Sequence, residues 1–269
     1  MKIYLNTIPR KQALEKLLQR VAPLSETEII PVSEGLDRIT AKPIMAELSL
    51  PMCLSSAMDG IAVVAKQTYG ANDQQPLQLK REQDYVVVDT GDPLPLRFDA
   101  VIKVEDLQVI DEDTVSIIAP VAPGNYVRPV GEDVVAGDMI IPAWHRLAPP
   151  DLGAVLAGGK QEIEVLKKIK VAVLPTGDEI VAPGQSLVRG NIIEFNGTVI
   201  SNYIKSWGGE PILYPITKDI KADLRKTVQK AVDTADVVII NAGSSAGRDD
   251  YTSSIIAELG EEMCIRDRW

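Results

Sequence analysis

The sequence predicts a multidomain α/β plus β protein, an all-β domain followed by a three-layer α/β domain with a mostly parallel sheet. Three observations carry this. From about residue 45 to 145, short β-branched runs alternate with turns marked by Gly and Pro. From Lys170 onward, apolar strands alternate with amphipathic helical stretches, the pattern of a parallel sheet covered on both faces. Two loops of small and acidic residues, Pro175-Thr-Gly-Asp-Glu179 and Asn241-Ala-Gly-Ser-Ser-Ala-Gly-Arg-Asp-Asp-Tyr-Thr252, each follow one of those strands. Ligands of such sheets bind at that end.

The elements follow in order. Pro9 starts a helix with Ala13, Leu14, Leu17, Leu18 and Val21 on its apolar face; a first turn suits Pro because the N–H it lacks has no partner there. Strands are expected at Ile61–Val64, Tyr85–Val88, Val101–Val104, Leu107–Ile110 and Thr114–Ile118, with turns at Gly91-Asp-Pro, Pro123-Gly and Val135-Ala-Gly. A helix follows Pro149-Pro-Asp151 and stops at Gly158-Gly159. Glu162–Leu166 leads into the α/β domain. There Lys170–Leu174 is a buried strand, and Asn196 caps a helix carrying Val199, Ile200, Tyr203, Ile204 and Trp207. A strand at Ile212–Ile216 comes next. Asp219 then opens a helix with Leu224, Val228, Ala231 and Val232 on one face. The strand Asp236–Ile240 and the helix Ser253–Leu259 flank the second loop.

Composition limits the partners. The chain has 269 residues, 45% of them hydrophobic and 25% charged, with a formal net charge of −10. That charge argues against nucleic acid or an anionic membrane as partner. No apolar run is long enough to span a bilayer and no leader-like apolar stretch opens the chain, so the expected compartment is the cytoplasm. Cys53 and Cys264 stand far apart, so no disulfide is expected, and the single His145 excludes a multi-histidine metal site.

The chemistry lies in the loops. A strand, a small-residue loop and a helix N-terminus present backbone N–H groups to a phosphate. Beside that cradle stand Asp249 and Asp250, which points to a phosphorylated ligand sharing its charge with a metal ion. Asp178, Glu179, Asp249 and Asp250 all follow strand ends and are expected at one crevice. Asp219 reads as a helix cap with reach to the same rim. In the β region three further loops recur: Ser55-Ser-Ala-Met-Asp-Gly60, Thr90-Gly-Asp-Pro-Leu-Pro95 and Arg128-Pro-Val-Gly-Glu-Asp133. Each alone reads as an ordinary turn; Asp-Gly in particular is a common hairpin entry.

In this order, the five motifs resemble the molybdopterin molybdenumtransferase family, the MoeA and gephyrin E-domain proteins, across about residues 5 to 260. The wording is nearest to a branch often fused to a LysR-type substrate-binding domain. The resemblance implies an N-terminal linker region (1–45 and 146–167), a β domain (46–145) and a MogA-like molybdopterin-binding domain (168–260). Measured against the family pattern that last domain is incomplete, and 261–269 reads as a non-native tail. The implied activity is a transferase reaction of molybdenum cofactor biosynthesis: molybdate is inserted into adenylated molybdopterin, AMP is released, and Mg²⁺ is required. The truncated chain itself is expected to lack turnover. The implied catalytic residues are Asp59, Thr90, Asp133, Glu179 and Asp250. Cofactor binding falls to Thr176, Gly177, Gly243, Ser244, Ser245 and Gly247, and metal binding to Glu179, Asp219 and Asp250. The implied assembly is a homodimer whose site pairs the MogA-like domain of one subunit with the β domain of the other, supplied by a MogA-like adenylyltransferase partner. Arg128 and Arg248 are candidates for receiving molybdate. Two other readings compete: a molybdopterin-binding fragment or regulatory homologue without turnover, and a CinA-type enzyme on the MogA-like fold. The β-region motifs argue against the CinA-type reading.

Overall fold

The computed structural model describes residues 7–19, 21–22, 24–241, 251–259 and 264–265. They form two compact units, one from Glu28 to Val165 and one combining the residues up to Thr27 with those from Leu166 onward.

The unit 28–165 holds the β structure. Its central strand, Gly60–Val63, pairs antiparallel with Tyr85–Val88 on one side and Ala100–Lys103 on the other. A second sheet joins Leu77–Lys80, Thr114–Ile117 and Gln108–Val109. Ile61, Val63, Tyr85 and Ile102 meet Leu79, Val115 and Ile117 in a core between the sheets. Ala62, on the opposite face, packs with Val88, Leu94, Phe98 and Val101. An antiparallel sheet often wets one face; here both are covered, which explains why Ile61–Val64 is continuously apolar. The strands lie within a residue or so of their expected bounds. Gly60 departs from the reading in kind, because it belongs to the strand and not to a turn. A Cβ there would sit 2.0 Å from the Ile102 carbonyl oxygen, so the pairing requires glycine.

Segments distant in sequence close a second core in this unit. Thr27–Pro31 pairs with Glu162–Leu166, and Ile44–Met45 with Met139–Ile141. Ile30, Val32, Ile44, Leu147, Val155 and Val165 pack together beneath helix α2 (Pro149–Ala157). Asp151 holds the start of α2. Its Oδ2 accepts the Ala148 N–H at 2.8 Å and contacts His145 Nε2 at 2.7 Å, which gives the lone histidine a structural role.

In the other unit helix α1 (Arg10–Leu18) buries only Ala13 of its expected apolar face; Leu14, Leu17, Leu18 and Val21 are exposed. The α/β part is a parallel sheet, ordered Glu210–Leu213, Lys170–Pro175, Val237–Asn241 among the described residues. Alternate residues of the middle strand serve opposite layers. Val171 and Val173 pack on Ile204 of α3 (Asn196–Ser206). Ala172 and Leu174 pack on Leu224, Val228 and Ala231 of α4 (Lys221–Thr234) and on Ile255 of α5 (Thr252–Leu259). Val232, expected on that buried face, is exposed. The strand expected at Ile212–Ile216 runs from Glu210 to Leu213 and includes Pro211, which an outer strand tolerates. No helix among the described residues is long and apolar enough to cross a membrane.

Two outcomes follow. Gly60→Ala should cost at least about 3 kcal/mol, the upper end of overpacking, because a backbone carbonyl blocks the new methyl; urea unfolding measures it. Asp151→Ala should lower the melting temperature at neutral pH. The Ala148 N–H, and then His145, hold the Asp151 carboxyl below its usual range, so its stabilisation is present above the unfolded pKa and lost as pH falls through the folded one. The gap between variant and wild type should therefore close below about pH 4.

Candidate active site

In the unit 28–165 the three β-region loops lie side by side. Ser55–Ser56 is the thread that joins them. It pairs antiparallel with Val127–Arg128, and Ala57 N–H donates to the Tyr126 carbonyl at 2.9 Å. On its other side Ser56 N–H donates to Asp92 O at 2.9 Å, Gly91 N–H to Ser56 O at 2.8 Å and Leu94 N–H to Leu54 O at 2.7 Å. Motifs separated by more than thirty residues are thus joined through backbone bonds, and Ser55 and Ser56 are buried at the seam.

Asp59 and Thr90 meet at this junction. Asp59 Oδ1 accepts the Thr90 N–H at 2.7 Å and the Thr90 hydroxyl at 2.8 Å. The N–H first, and the hydroxyl second, hold the Asp59 carboxyl below its usual range. Asp59 is therefore an exposed anion with a fixed orientation, and Oδ2 makes no hydrogen bond among the described residues. Asp133 is placed differently. Arg128 Nη2 donates to both of its oxygens, at 2.7 and 2.8 Å, while Arg128 Nε bonds Glu132. These two carboxylates, Glu132 foremost, raise the Arg128 pKa. The expected oxyanion role of Arg128 thus meets a competitor, since its charge is engaged within its own loop. Gly131, at φ +74°, donates its N–H to Pro51 O, and Asp133 N–H donates to Leu50 O, both at 2.9 Å.

In the α/β unit the middle strand runs into Thr176-Gly-Asp-Glu179. Thr176 is buried, with its N–H on the Asn241 carbonyl at 3.0 Å. Gly177 donates to Thr217 O at 3.2 Å, and Thr217 donates to Pro175 O at 2.9 Å. Gly177 adopts φ +146°, and a Cβ there would lie 2.8 Å from Ile180 Cγ1 and 3.1 Å from both Glu179 oxygens. The Glu179 carboxylate therefore folds back over the glycine. Thr176, Glu179, Glu194, Asn196 and Asn241 help to line a cavity of about 170 Å³ at the carboxyl ends of the strands.

Glu194 is the residue the sequence reading missed. Parallel pairing of Ile180–Val181 with Ile192–Ile193 brings it beside Glu179, and its Oε1 accepts the Gly197 N–H at 2.6 Å. This contact caps α3 in place of Asn196, which is the first helical residue. The available signal was a lone acid among apolar residues just before a helix. Asp178 is exposed and does not line this cavity; its Oδ1 accepts the Asp219 N–H at 3.4 Å. Asp219 precedes α4 by two residues, so its expected place in the helix gives way to a loop. Among the described residues no three of His, Cys, Asp or Glu form a metal-holding group. Gly243, Ser244, Ser245, Gly247, Arg248, Asp249 and Asp250 lie outside the described residues.

Comparison with known proteins agrees with this layout. Residues 8–159, more than half of the chain, match the family model described as MoeA N-terminal region (domain I and II). The chain belongs to the MoeA family. Residues 172–268 of this MoeA-family chain match the model described as probable molybdopterin binding domain. A molybdopterin molybdenumtransferase of Nostoc sp. is 30% identical over 265 residues, covering 93% of this chain and 61% of that protein. A putative molybdopterin biosynthesis protein of Methanocaldococcus jannaschii is 30% identical over 280 residues, covering 97% and 70%. The crystal structure of a molybdopterin biosynthesis MoeA protein from Pyrococcus horikoshii aligns with TM-score 0.78 and 32% identity, covering 95% of this chain and 67% of that one. The chain thus spans about three fifths of the length of the Nostoc relative.

The Asp59 geometry has a direct check. Thr90→Val removes the hydroxyl donor and keeps the N–H. The Asp59 pKa, followed by carboxyl NMR titration, should rise and remain below the ordinary carboxylate value.

Proposed function

We propose that this protein inserts molybdate into adenylated molybdopterin and releases AMP, with Mg²⁺ required. The observation that carries the reading is the cavity lined by Glu179, Glu194 and Asn241 at the strand ends, Asn241 being followed in sequence by the Gly243–Gly247 loop that the resemblance makes a phosphate cradle. Two relatives named molybdopterin molybdenumtransferase, from Nostoc sp. and Haemophilus influenzae, support it.

The donor set suits Mg²⁺. The cavity offers carboxylate, amide and hydroxyl oxygens and no His or Cys, and Mg²⁺ takes one or two carboxylates together with substrate phosphates. Glu179 and Asp250, with Asp219 at the rim, are the residues proposed to hold it. When bound, it neutralises phosphate oxygens at the bond that releases AMP. The chain's own groups do the rest. Thr176, which lines the cavity, and Gly177 beside it are proposed to bind the pterin, and Gly243, Ser244, Ser245 and Gly247 are proposed to take the terminal phosphate. Asp59, ionised and oriented by Thr90, aligns a water through Oδ2, which takes no hydrogen bond among the described residues. Asp133 keeps its place through Arg128. The protein is proposed to act in the cytoplasm as a homodimer, with a MogA-like adenylyltransferase as supplier of its substrate.

Purified protein is incubated with adenylated molybdopterin, molybdate and Mg²⁺, and AMP is measured. Asp59→Ala and Glu179→Ala should each lower release about 100-fold or more while the circular dichroism stays unchanged. Normal turnover in either variant removes that residue from the mechanism. Pterin binding by the wild-type chain without any AMP release would favour the binding-module reading. If a homodimer shares its sites as the resemblance implies, mixing the two inactive variants restores about a quarter of wild-type activity through mixed dimers. No recovery, together with a monomer by light scattering, rejects the shared site.

A further inference from the structure

Beside the cavity that holds Glu179 lies a larger one of about 500 Å³, and the two share Pro175, Ile180 and Glu194 as walls. Most of its lining is apolar, including Val181, Leu213 and Ile216. Lys218 is the single cation lining either cavity among the described residues. Its setting differs from that of its neighbours. Lys221 and Arg225 both bond Glu258, and Arg128 bonds Glu132 and Asp133. Lys218 Nζ instead donates to the Asp178 main-chain carbonyl at 2.9 Å, an uncharged acceptor. An ammonium has three donors, and among the described residues the other two donors of Lys218 take no hydrogen bond and its charge forms no ion pair. The backbone fixes where that charge stands. Gly177 N–H to Thr217 O and Thr217 N–H to Pro175 O register the residue before Lys218 against the loop that carries Glu179. A chain of net charge −10 with two glutamates on one cavity repels an anion unless a cation is placed beside it.

We infer that Lys218 receives a tetrahedral oxyanion at the α/β site, either a phosphate of the pterin substrate or molybdate itself. This rests on the proposed function for the identity of the ligand, and the binding chemistry can be tested apart from it. The assignment also gives the Asp178 carbonyl a purpose: it holds the flexible lysine side chain at the cavity rim, so less rotamer freedom is lost when the anion arrives.

The test uses the full chain and two inorganic probes, pyrophosphate and molybdate, by isothermal titration calorimetry at two salt concentrations. Lys218→Met removes the charge, Lys218→Gln removes it but keeps a donor for the Asp178 carbonyl, and Lys218→Arg keeps it. Met and Gln should weaken one probe roughly tenfold or more and flatten its salt dependence, while Arg retains binding. Loss confined to pyrophosphate assigns the phosphate, and loss confined to molybdate assigns the oxyanion substrate. Equal affinity of wild type and both uncharged variants for both probes, or no binding of either probe by wild type, overturns the inference. A melting temperature shared by all four proteins excludes misfolding as the cause. Dephosphorylated molybdopterin, titrated in parallel, checks the parent reading: its failure to bind wild type counts against the proposed function and leaves the probe result standing.

Discussion

The strand Lys170–Pro175 is paired along both edges and covered on both faces, and the α/β site depends on that enclosure. Val171, Ala172, Val173 and Leu174 are all buried, two toward α3 and two toward α4 and α5. A strand enclosed this way cannot slip by one residue without sending every side chain to the wrong layer. Its register therefore fixes where Thr176 emerges, and Thr176 is tied at once to the Asn241 carbonyl of the neighbouring strand. The carboxyl ends of two strands are thus held together ahead of the proposed site residues Gly177 and Glu179. Gly177 and Glu179 inherit their positions from packing that takes no part in chemistry.

The unit 28–165 reaches a similar result by different means. The loops of its proposed site residues are not strand ends of one enclosed sheet. They are joined by main-chain hydrogen bonds to a two-residue strand, Ser55–Ser56, flanked by 91–94 on one side and 126–128 on the other. Small buried residues serve there because backbones must approach closely, and Gly60 is the extreme case. The acids at the junction consequently stand on ordered main chain. Asp59 needs only the N–H and hydroxyl of one residue, Thr90, to be oriented.

Much of this could be read from the residues alone, and the misses have physical reasons. Continuous apolar runs located the strands 60–63, 85–88 and 170–175 to within about a residue; in 60–63 and 171–175 burial on both faces leaves no polar position. Pro211 pushed the neighbouring strand too far along the chain, since proline reads as a break unless the strand is known to lie outermost. Asp219 looked like a helix opener, but its N–H is taken by Asp178, and the helix waits until Lys221. Glu194 escaped notice because caps are sought among short side chains at the N-cap itself. A glutamate one residue earlier reaches the same N–H groups with its longer stem. The partners of Arg128 were beyond any reading of charge alone, which counts residues and not the bonds they make. Leu14, Leu17 and Leu18 of α1 show the opposite error, a clear apolar face that stays exposed among the described residues.

The acids proposed to surround an anionic substrate are held in different ways, as the three best-defined carboxylates show. Asp133 shares one guanidinium with Glu132, so its charge is countered and its movement restricted. Glu194 faces the N-terminus of α3, where its bond to the Gly197 N–H holds it near the sheet. Asp59 has neither a cation nor a helix end. Its pKa is lowered by neutral donors alone, which stabilise the carboxylate without cancelling its charge. One oxygen is engaged and the other is open, so Asp59 keeps both a fixed direction and an available lone pair. A carboxylate already tied to arginine would give up an ion pair to accept a proton, whereas Asp59 would give up part of the stabilisation that its two Thr90 bonds supply. Of these three acids Asp59 is thus the one that combines a fixed direction with an oxygen that takes no hydrogen bond among the described residues, which suits its proposed alignment of a water, while Asp133 and Glu194 are held by their own neighbours.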